Sequence, residues 1–194
     1  MAAALGDAFG VMCPARTRSF DRALHDLRNA LFGDTATKTA QDKSPGAFAV
    51  IDGVRGQGAL AELKTRHVPI WPLYADAEAD LLNVSPCLVA LADSAVLDAV
   101  FPLLWGEARG LFLTAPAPTD RVLDLMQTLA VAEMPDGDLA LLRFFDPRVL
   151  PRLMDALDHD QRQQFFSGVV AAYHLEDARG RLISFTPELR DETP

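Results

Sequence analysis

An α/β fold is what this sequence predicts: a mixed, mostly parallel sheet with flanking helices and antiparallel hairpins toward the C-terminus. Three observations lead there. Short apolar runs alternate with longer amphipathic stretches from Ala47 onward, the pattern of strand and helix units built around a sheet. The runs Ala47 to Ile51, Pro86 to Leu91 and Arg109 to Thr114 are apolar over most of their length instead of alternating, which suits strands covered on both faces. Near the end of the chain Asp136-Gly137, between two apolar runs, is a strong hairpin signal, and a second turn follows at Asp177-Ala178-Arg179-Gly180.

Each element then has its own justification. Residues 1–18 show no period and form a loose lead. Ser19 caps a first helix whose stripe is Phe20, Leu24, Leu27 and Leu31, and Gly33 ends it. Residues 34–46 are polar and make a flexible loop. The strand Ala47 to Ile51 ends at Asp52-Gly53, and a helix covers Gly58 to Arg66. Val68 to Tyr74 carries two prolines, which allow only a short or edge strand. Asp76 to Leu82 is acidic and helical for a turn, Pro86 to Leu91 is a strand, and Ser94 caps a helix reaching about Leu104. Arg109 to Thr114 is the next strand, and Thr119 caps a helix with Leu123, Met126 and Ala130 inward.

The C-terminal third reads differently. Val131 to Met134 and Leu139 to Phe145 form a hairpin, the second arm as a strand buried on both faces and interrupted only by Arg143. It turns at once into a helix, with Asp146 as cap and Pro147 where a missing N–H costs nothing. Val149, Leu150, Leu153, Met154 and Leu157 line that helix, and Pro151 inside it distorts the first turn. Asp158 with Gln161 makes a capping box for a short helix ending at Phe166-Ser167-Gly168. Val169 to Leu175 and Arg181 to Phe185 close the chain as a last hairpin. The expected organisation is one domain over residues 19–176, followed by a hairpin strand and charged tail over 177–194.

Composition bounds the function. At 194 residues one core can bury roughly 70% of the surface that the unfolded chain exposes. No window approaches a membrane span and no secretory signal is visible, so the expected location is cytoplasmic. Cys13 and Cys87 are too few for a disulfide framework and read as reduced thiols. Net charge is −9, and only Lys38, Lys43 and Lys64 among the 18 basic residues are lysines. Such a chain repels nucleic acid and anionic membranes, leaving a protein partner or a small ligand.

Gly56-Gln57-Gly58-Ala59-Leu60-Ala61 fits the G-x-G-x-x-A dinucleotide fingerprint, with Asp76 downstream to hold a ribose. Against it, Asp52 to Arg55 stand between the strand and the first glycine, whereas the fingerprint needs that glycine at the strand's end. Glycines relieving a turn are the alternative. There is no G-x-S-x-G elbow and no P-loop, and His25, His67, His159 and His174 are scattered instead of spaced as ligands. Asp52, Glu107 and Asp146 lie at strand ends and can converge at one rim, either as paired carboxylates for proton transfer or as partners of Arg55, Arg109, Arg143 and Arg148. Trp71, Tyr74 and Trp105 are candidate aromatic anchors or core residues. No catalytic residue, cofactor or metal site is assigned, and no enzymatic activity is expected.

The order of segments carries more than any one motif. Phe48-Ala49-Val50-Ile51-Asp52-Gly53, Pro69 to Tyr74, Ser85 to Leu91, Trp105-Gly106 with Gly110 to Leu113, and Leu142-Arg143-Phe144-Phe145-Asp146-Pro147-Arg148-Val149-Leu150 follow one another. Gln164 to Val169 comes before a last strand. In this order the set resembles the domain of formerly unknown function found in bacterial type VI secretion effector adaptors, also called effector chaperones, over about Arg22 to Leu175. The resemblance implies a non-enzymatic cytoplasmic protein, without cofactor or small-molecule substrate, that binds a cognate toxic effector and promotes its loading onto the VgrG spike. Asp52, Arg55, Trp71, Tyr74, Arg143, Asp146 and Arg148 are the expected partner-binding residues.

Overall fold

The computed structural model describes residues 18–33, 46–74, 79–133 and 136–188. The lead before Arg18, Cys13, the loop over 34–45, Asp76 and the end of the tail lie outside the described residues. The elements run α1 (Arg18–Phe32), β1 (Ala47–Ile51), α2 (Gln57–Thr65), β2 (Ile70–Pro72), α3 (Ala79–Leu82), β3 (Cys87–Ala90), α4 (Ser94–Leu104), β4 (Gly110–Thr114), α5 (Thr119–Leu129), β5 (Val131–Glu133), β6 (Leu139–Leu141), α6 (Leu150–Ala156), α7 (His159–Phe166), β7 (Ala172–Glu176) and β8 (Leu182–Phe185).

Helices and strands do alternate, but the expected parallel sheet is overturned. Six strands lie in the order β2-β3-β1-β4-β7-β8, and every neighbouring pair is antiparallel. The reason is in the connections. The crossover through α2 joins β1 to β2, which run the same way, but β3 lies between them; the crossover through α4 joins β3 to β4, and β1 lies between those. Each helix therefore makes a split βαβ unit with an opposed strand inserted. Apolar runs reported coverage of both faces, which is true here, and not strand direction.

Both faces are packed. Ala49, Ile51, Val89 and Phe112 point to one side, where they meet Leu27 and Leu31 of α1, Leu60 and Leu63 of α2, and Leu97, Phe101 and Leu104 of α4. Phe101 stacks on Trp105 at 4.8 Å and takes the Phe20 ring edge-on at 5.0 Å, so Trp105 is a core residue. Phe48, Val50, Leu111, Leu113 and Tyr173 point to the other side, against Val122, Met126, Phe144, Phe145, Leu150, Met154, Phe165 and Phe166. Each such side chain contributes about 1.5–3 kcal/mol when fully buried, and the one polar group among them, the Tyr173 hydroxyl, donates to the Phe165 carbonyl at 2.9 Å.

Local details differ from expectation where side chains compete for the same cap. Asp93, not Ser94, caps α4, accepting from Ala95 and Val96 N–H. α5 begins at Thr119 behind Pro118 without a side-chain cap. The Asp158–Gln161 capping box forms as read. Pro151 lies in the first turn of α6, where it costs no hydrogen bond, so that turn is not distorted by it.

The largest local correction concerns Leu139 to Phe145. Only Leu139–Leu141 is a strand; it pairs with β5 in a separate two-stranded ribbon, and Leu139 and Leu141 are exposed. Phe144 and Phe145 are buried, but in a turn, because the chain leaves the ribbon at Leu142 and folds over the sheet. A seven-residue run, apolar or aromatic at every position but Arg143, was thus two structures joined end to end.

Candidate functional site

The turn after the ribbon and the turn after β1 meet, and charge joins them. β1 delivers Asp52 to the sheet's end, where its N–H donates to the Arg109 carbonyl at 2.8 Å. Its Oδ1 accepts from the Val54 and Arg55 N–H groups at 2.9 and 3.0 Å, shaping the turn over 53–56, and its Oδ2 accepts from Arg143 at 2.6 Å. The chain passes so close to its neighbour here that a methyl on Gly53 would run into the Val84 and Ser85 carbonyl oxygens, which is why that position carries no side chain.

Arg143 stands between two acids. Its guanidinium also lies 3.6 Å from Asp146 Oδ2 and 5.9 Å from the centre of the Phe145 ring, a cation–π distance. Asp146 is 2% exposed and does three jobs. Its Oδ1 accepts from Arg148 N–H and Nε at 2.9 Å each, its Oδ2 accepts from the Arg148 terminal nitrogen at 2.6 Å, and its carbonyl accepts from Val149 and Leu150 N–H. Asp146 thus organises the corner without being the terminal cap, since the residue preceding α6 is Val149. Burial pushes the Asp146 carboxyl up, but the Arg148 hydrogen bonds and the Arg148 and Arg143 charges outweigh it and hold the group below the usual carboxylate range. The result is a ladder, Arg148–Asp146–Arg143–Asp52, with buried acids and arginines about half exposed.

Tyr74 belongs to the same neighbourhood. Burial raises its hydroxyl pKa, and the charges of Arg143 and Asp52 reach it, the one lowering and the other raising. Its N–H donates to Ser85 Oγ at 3.0 Å. Trp71, opposite Leu88 on β2 and half-buried, packs on the same core but sits outside the ladder. Arg55 turns the other way, donating to the Glu107 carbonyl at 2.9 Å. There it lines a cavity of about 630 Å³ with Arg148, Arg152, Glu107 and Glu176. So Asp52, Tyr74, Arg143, Asp146 and Arg148 come together, Arg55 faces an adjoining hollow, and Trp71 stands at the sheet edge.

The carboxylates considered for proton transfer have partners. Asp52 and Asp146 are held by arginine, and Glu107 lies 3.5 Å from Arg109. Glu176, in the hollow, is raised by burial while its carboxylate accepts the Gly106 and Ala108 N–H groups, which lower it. Among the described residues no three His, Cys, Asp or Glu side chains are grouped to hold a metal ion. Burial lifts the Cys87 thiol to about 11, which keeps it protonated and unreactive. The glycine turn at Gly56 to Ala61 follows a strand whose two neighbours are antiparallel, so it lacks the parallel βαβ frame of a dinucleotide fold, and Gly56 is pressed against Ile51.

Sequence reasoning missed Val131, Leu139 and Leu141, the exposed aliphatics of the ribbon. A signal was present: Val131-Ala132-Glu133 and Leu139-Ala140-Leu141 both alternate small with large, and the alanines take the half-buried side.

No curated protein and no solved structure matches the chain. A family model described as Domain of unknown function (DUF4123) matches residues 47–164, from the first residue of β1 into α7, more than half of the sequence and every residue of the ladder. The chain belongs to the DUF4123 family.

Proposed function

We propose that this protein is a type VI secretion effector adaptor: it binds a cognate toxic effector in the cytoplasm and promotes the effector's loading onto the VgrG spike, without catalysing a reaction. The observation that carries the reading is the family match over residues 47–164, the stretch whose ordered segments resemble effector adaptors and which contains all seven expected contact residues. Two further features agree with it. The acids of the corner are tied to arginines, as suits a shaped surface more than a proton-transfer site. No helix among the described residues is long and apolar enough to cross a membrane. In physical terms, an adaptor that binds only the loadable form of its effector stabilises that form by mass action.

The test is co-purification. The tagged full chain, expressed with the effector and VgrG encoded by its neighbouring genes, is expected to retain both; retention of neither overturns the adaptor reading. Thermal-shift titration with dinucleotides separates the enzyme alternative, since a nucleotide at 100 times its Kd would stabilise the fold by about 2.7 kcal/mol, and no shift is expected.

A further inference from the structure

The β5–β6 ribbon is inside out. Directly opposed residues of an antiparallel pair share a face, so the register Val131↔Leu141 and Glu133↔Leu139 places those four side chains together, and Ala132↔Ala140 places the alanines on the reverse. The alanine face is half-buried against the protein, whereas Leu139 is 74%, Leu141 50% and Val131 40% exposed. An ordinary antiparallel ribbon keeps large apolar residues inward and polar ones outward. Here the largest apolar side chains face solvent, on a ribbon that pairs with no strand of the main sheet.

Charge within the ribbon and its turn has one sign. Glu133 lies on it, Asp136 and Asp138 form the turn at its end, and from Val122 to Leu142 the sequence holds no lysine or arginine. Its base is held firmly: Leu142 N–H donates to the Ala130 carbonyl at 2.9 Å, and the next residue, Arg143, is the centre of the ladder. A rigidly based, exposed apolar face with an acidic rim is a surface for a partner.

We infer that the exposed face of the ribbon, Val131, Leu139 and Leu141 within Glu133, Asp136 and Asp138, docks a partner protein's segment that presents aliphatic side chains flanked by lysine or arginine. The aliphatics meet the two leucines and the valine, and the basic groups meet the three acids. Acidity sets this occupant apart from an anionic membrane, which the rim repels, and from a second copy of the same ribbon, whose acids would oppose one another. Under the adaptor reading, on which this part of the inference rests, the segment belongs to the effector.

The full chain is titrated with two short labelled peptides, one alternating leucine with lysine and one alternating leucine with glutamate. The lysine peptide is expected to bind, more weakly as salt rises, and the glutamate peptide to fail. Leu139→Ser with Leu141→Ser, and separately Glu133→Lys with Asp138→Lys, are each expected to weaken lysine-peptide binding about tenfold or more with melting temperatures unchanged. Equal binding of the lysine peptide by wild type and both variants overturns the proposal, as does equal binding of the two peptides. Light scattering that shows a wild-type dimer lost in the leucine variant also overturns it, in favour of a second copy. In co-purification, an effector retained by wild type and lost by the leucine variant supports the surface, and one retained by both overturns it. Wild type that binds the lysine peptide but retains no effector keeps the docking face and sinks the adaptor reading instead.

Discussion

The ribbon and the corner are neighbours in the chain and opposites in construction. In the corner the charges are inside: Asp52 and Asp146 are 4% and 2% exposed, and two phenylalanines lie beneath them. In the ribbon the apolar groups are outside, with only Ala132 and Ala140 turned toward the protein. What the pair teaches is that burial is assigned by shape as well as by polarity. A carboxylate can be buried where backbone N–H groups and arginines satisfy it, and a leucine can be left out where the strand's register turns alanine toward the protein.

That contrast can be broken from either side. Asp146→Ala removes the acceptor of three Arg148 hydrogen bonds and part of the hold on Arg143, and is expected to cost about 3 kcal/mol in urea unfolding, the low end for a severed buried pair because both arginines keep solvent. Arg148→Ala leaves the buried carboxylate with only the backbone N–H of position 148 and Arg143 at 3.6 Å, and should cost a comparable amount; a clearly smaller loss would show that Arg143 alone compensates the acid. Circular dichroism separates a lost corner from lost partner binding in both variants.

A control lies away from both regions, at His174. Burial lowers its pKa from 6.5 to about 4, while Thr114 and Ser184 hydroxyls bond its two ring nitrogens. The unfolded chain therefore binds the proton first, so the histidine's contribution is intact above pH 6.5 and about 2–3 kcal/mol is lost as pH falls toward 4. Glu176, raised, works in the opposite sense: its contribution is full below 4.5 and fades as pH climbs through its folded value. Asp146, lowered, is lost only below 3.8. Thermal melts across this range should show acid destabilisation that is shallower in His174→Asn, while Asp146→Ala changes the profile only at its most acidic end.

Gly53→Ala is expected to cost about 2 kcal/mol, because the added methyl has backbone carbonyls on the far side and no flexible side chain to displace. Since Gly53 follows Asp52, the loss should be accompanied by weaker protection of the Val54 and Arg55 amides in hydrogen exchange. The smallest effect belongs to the ribbon: Leu139→Ser with Leu141→Ser should leave stability within about 0.5 kcal/mol while weakening docking about tenfold or more. Stability lost there to the extent seen in the corner would mean that the two regions are not opposites after all.

Much of this was legible beforehand. The stripe of α1, the capping box at Asp158, the turn at Asp136-Gly137 and the corner's charged residues are local signals, decided by neighbours within a few positions. Strand direction was not, because it depends on which strand slips between β1 and β2, and nothing inside Ala47 to Ile51 records that. The pairing of Asp52 with Arg143 was visible only as a possible convergence of rim charges, since the two lie 91 positions apart. The exposure of Leu139 was hidden for another reason: an aliphatic beside an aromatic run reads as core, and the room available beneath a ribbon is a three-dimensional quantity.

One consequence of the split crossovers concerns how the chain is made. β1 is the central strand by position but the first to be synthesised, and its final partners are residues 87–90 and 110–114. At roughly 5–20 residues per second, Ala47-Phe48-Ala49-Val50-Ile51 spends several seconds with both edges open and both faces apolar, a segment of the composition that seeds intermolecular β-pairing. Production yield should therefore respond to translation speed between Ile51 and Thr114 more than anywhere else in the chain, and slow codons placed there should raise the insoluble fraction.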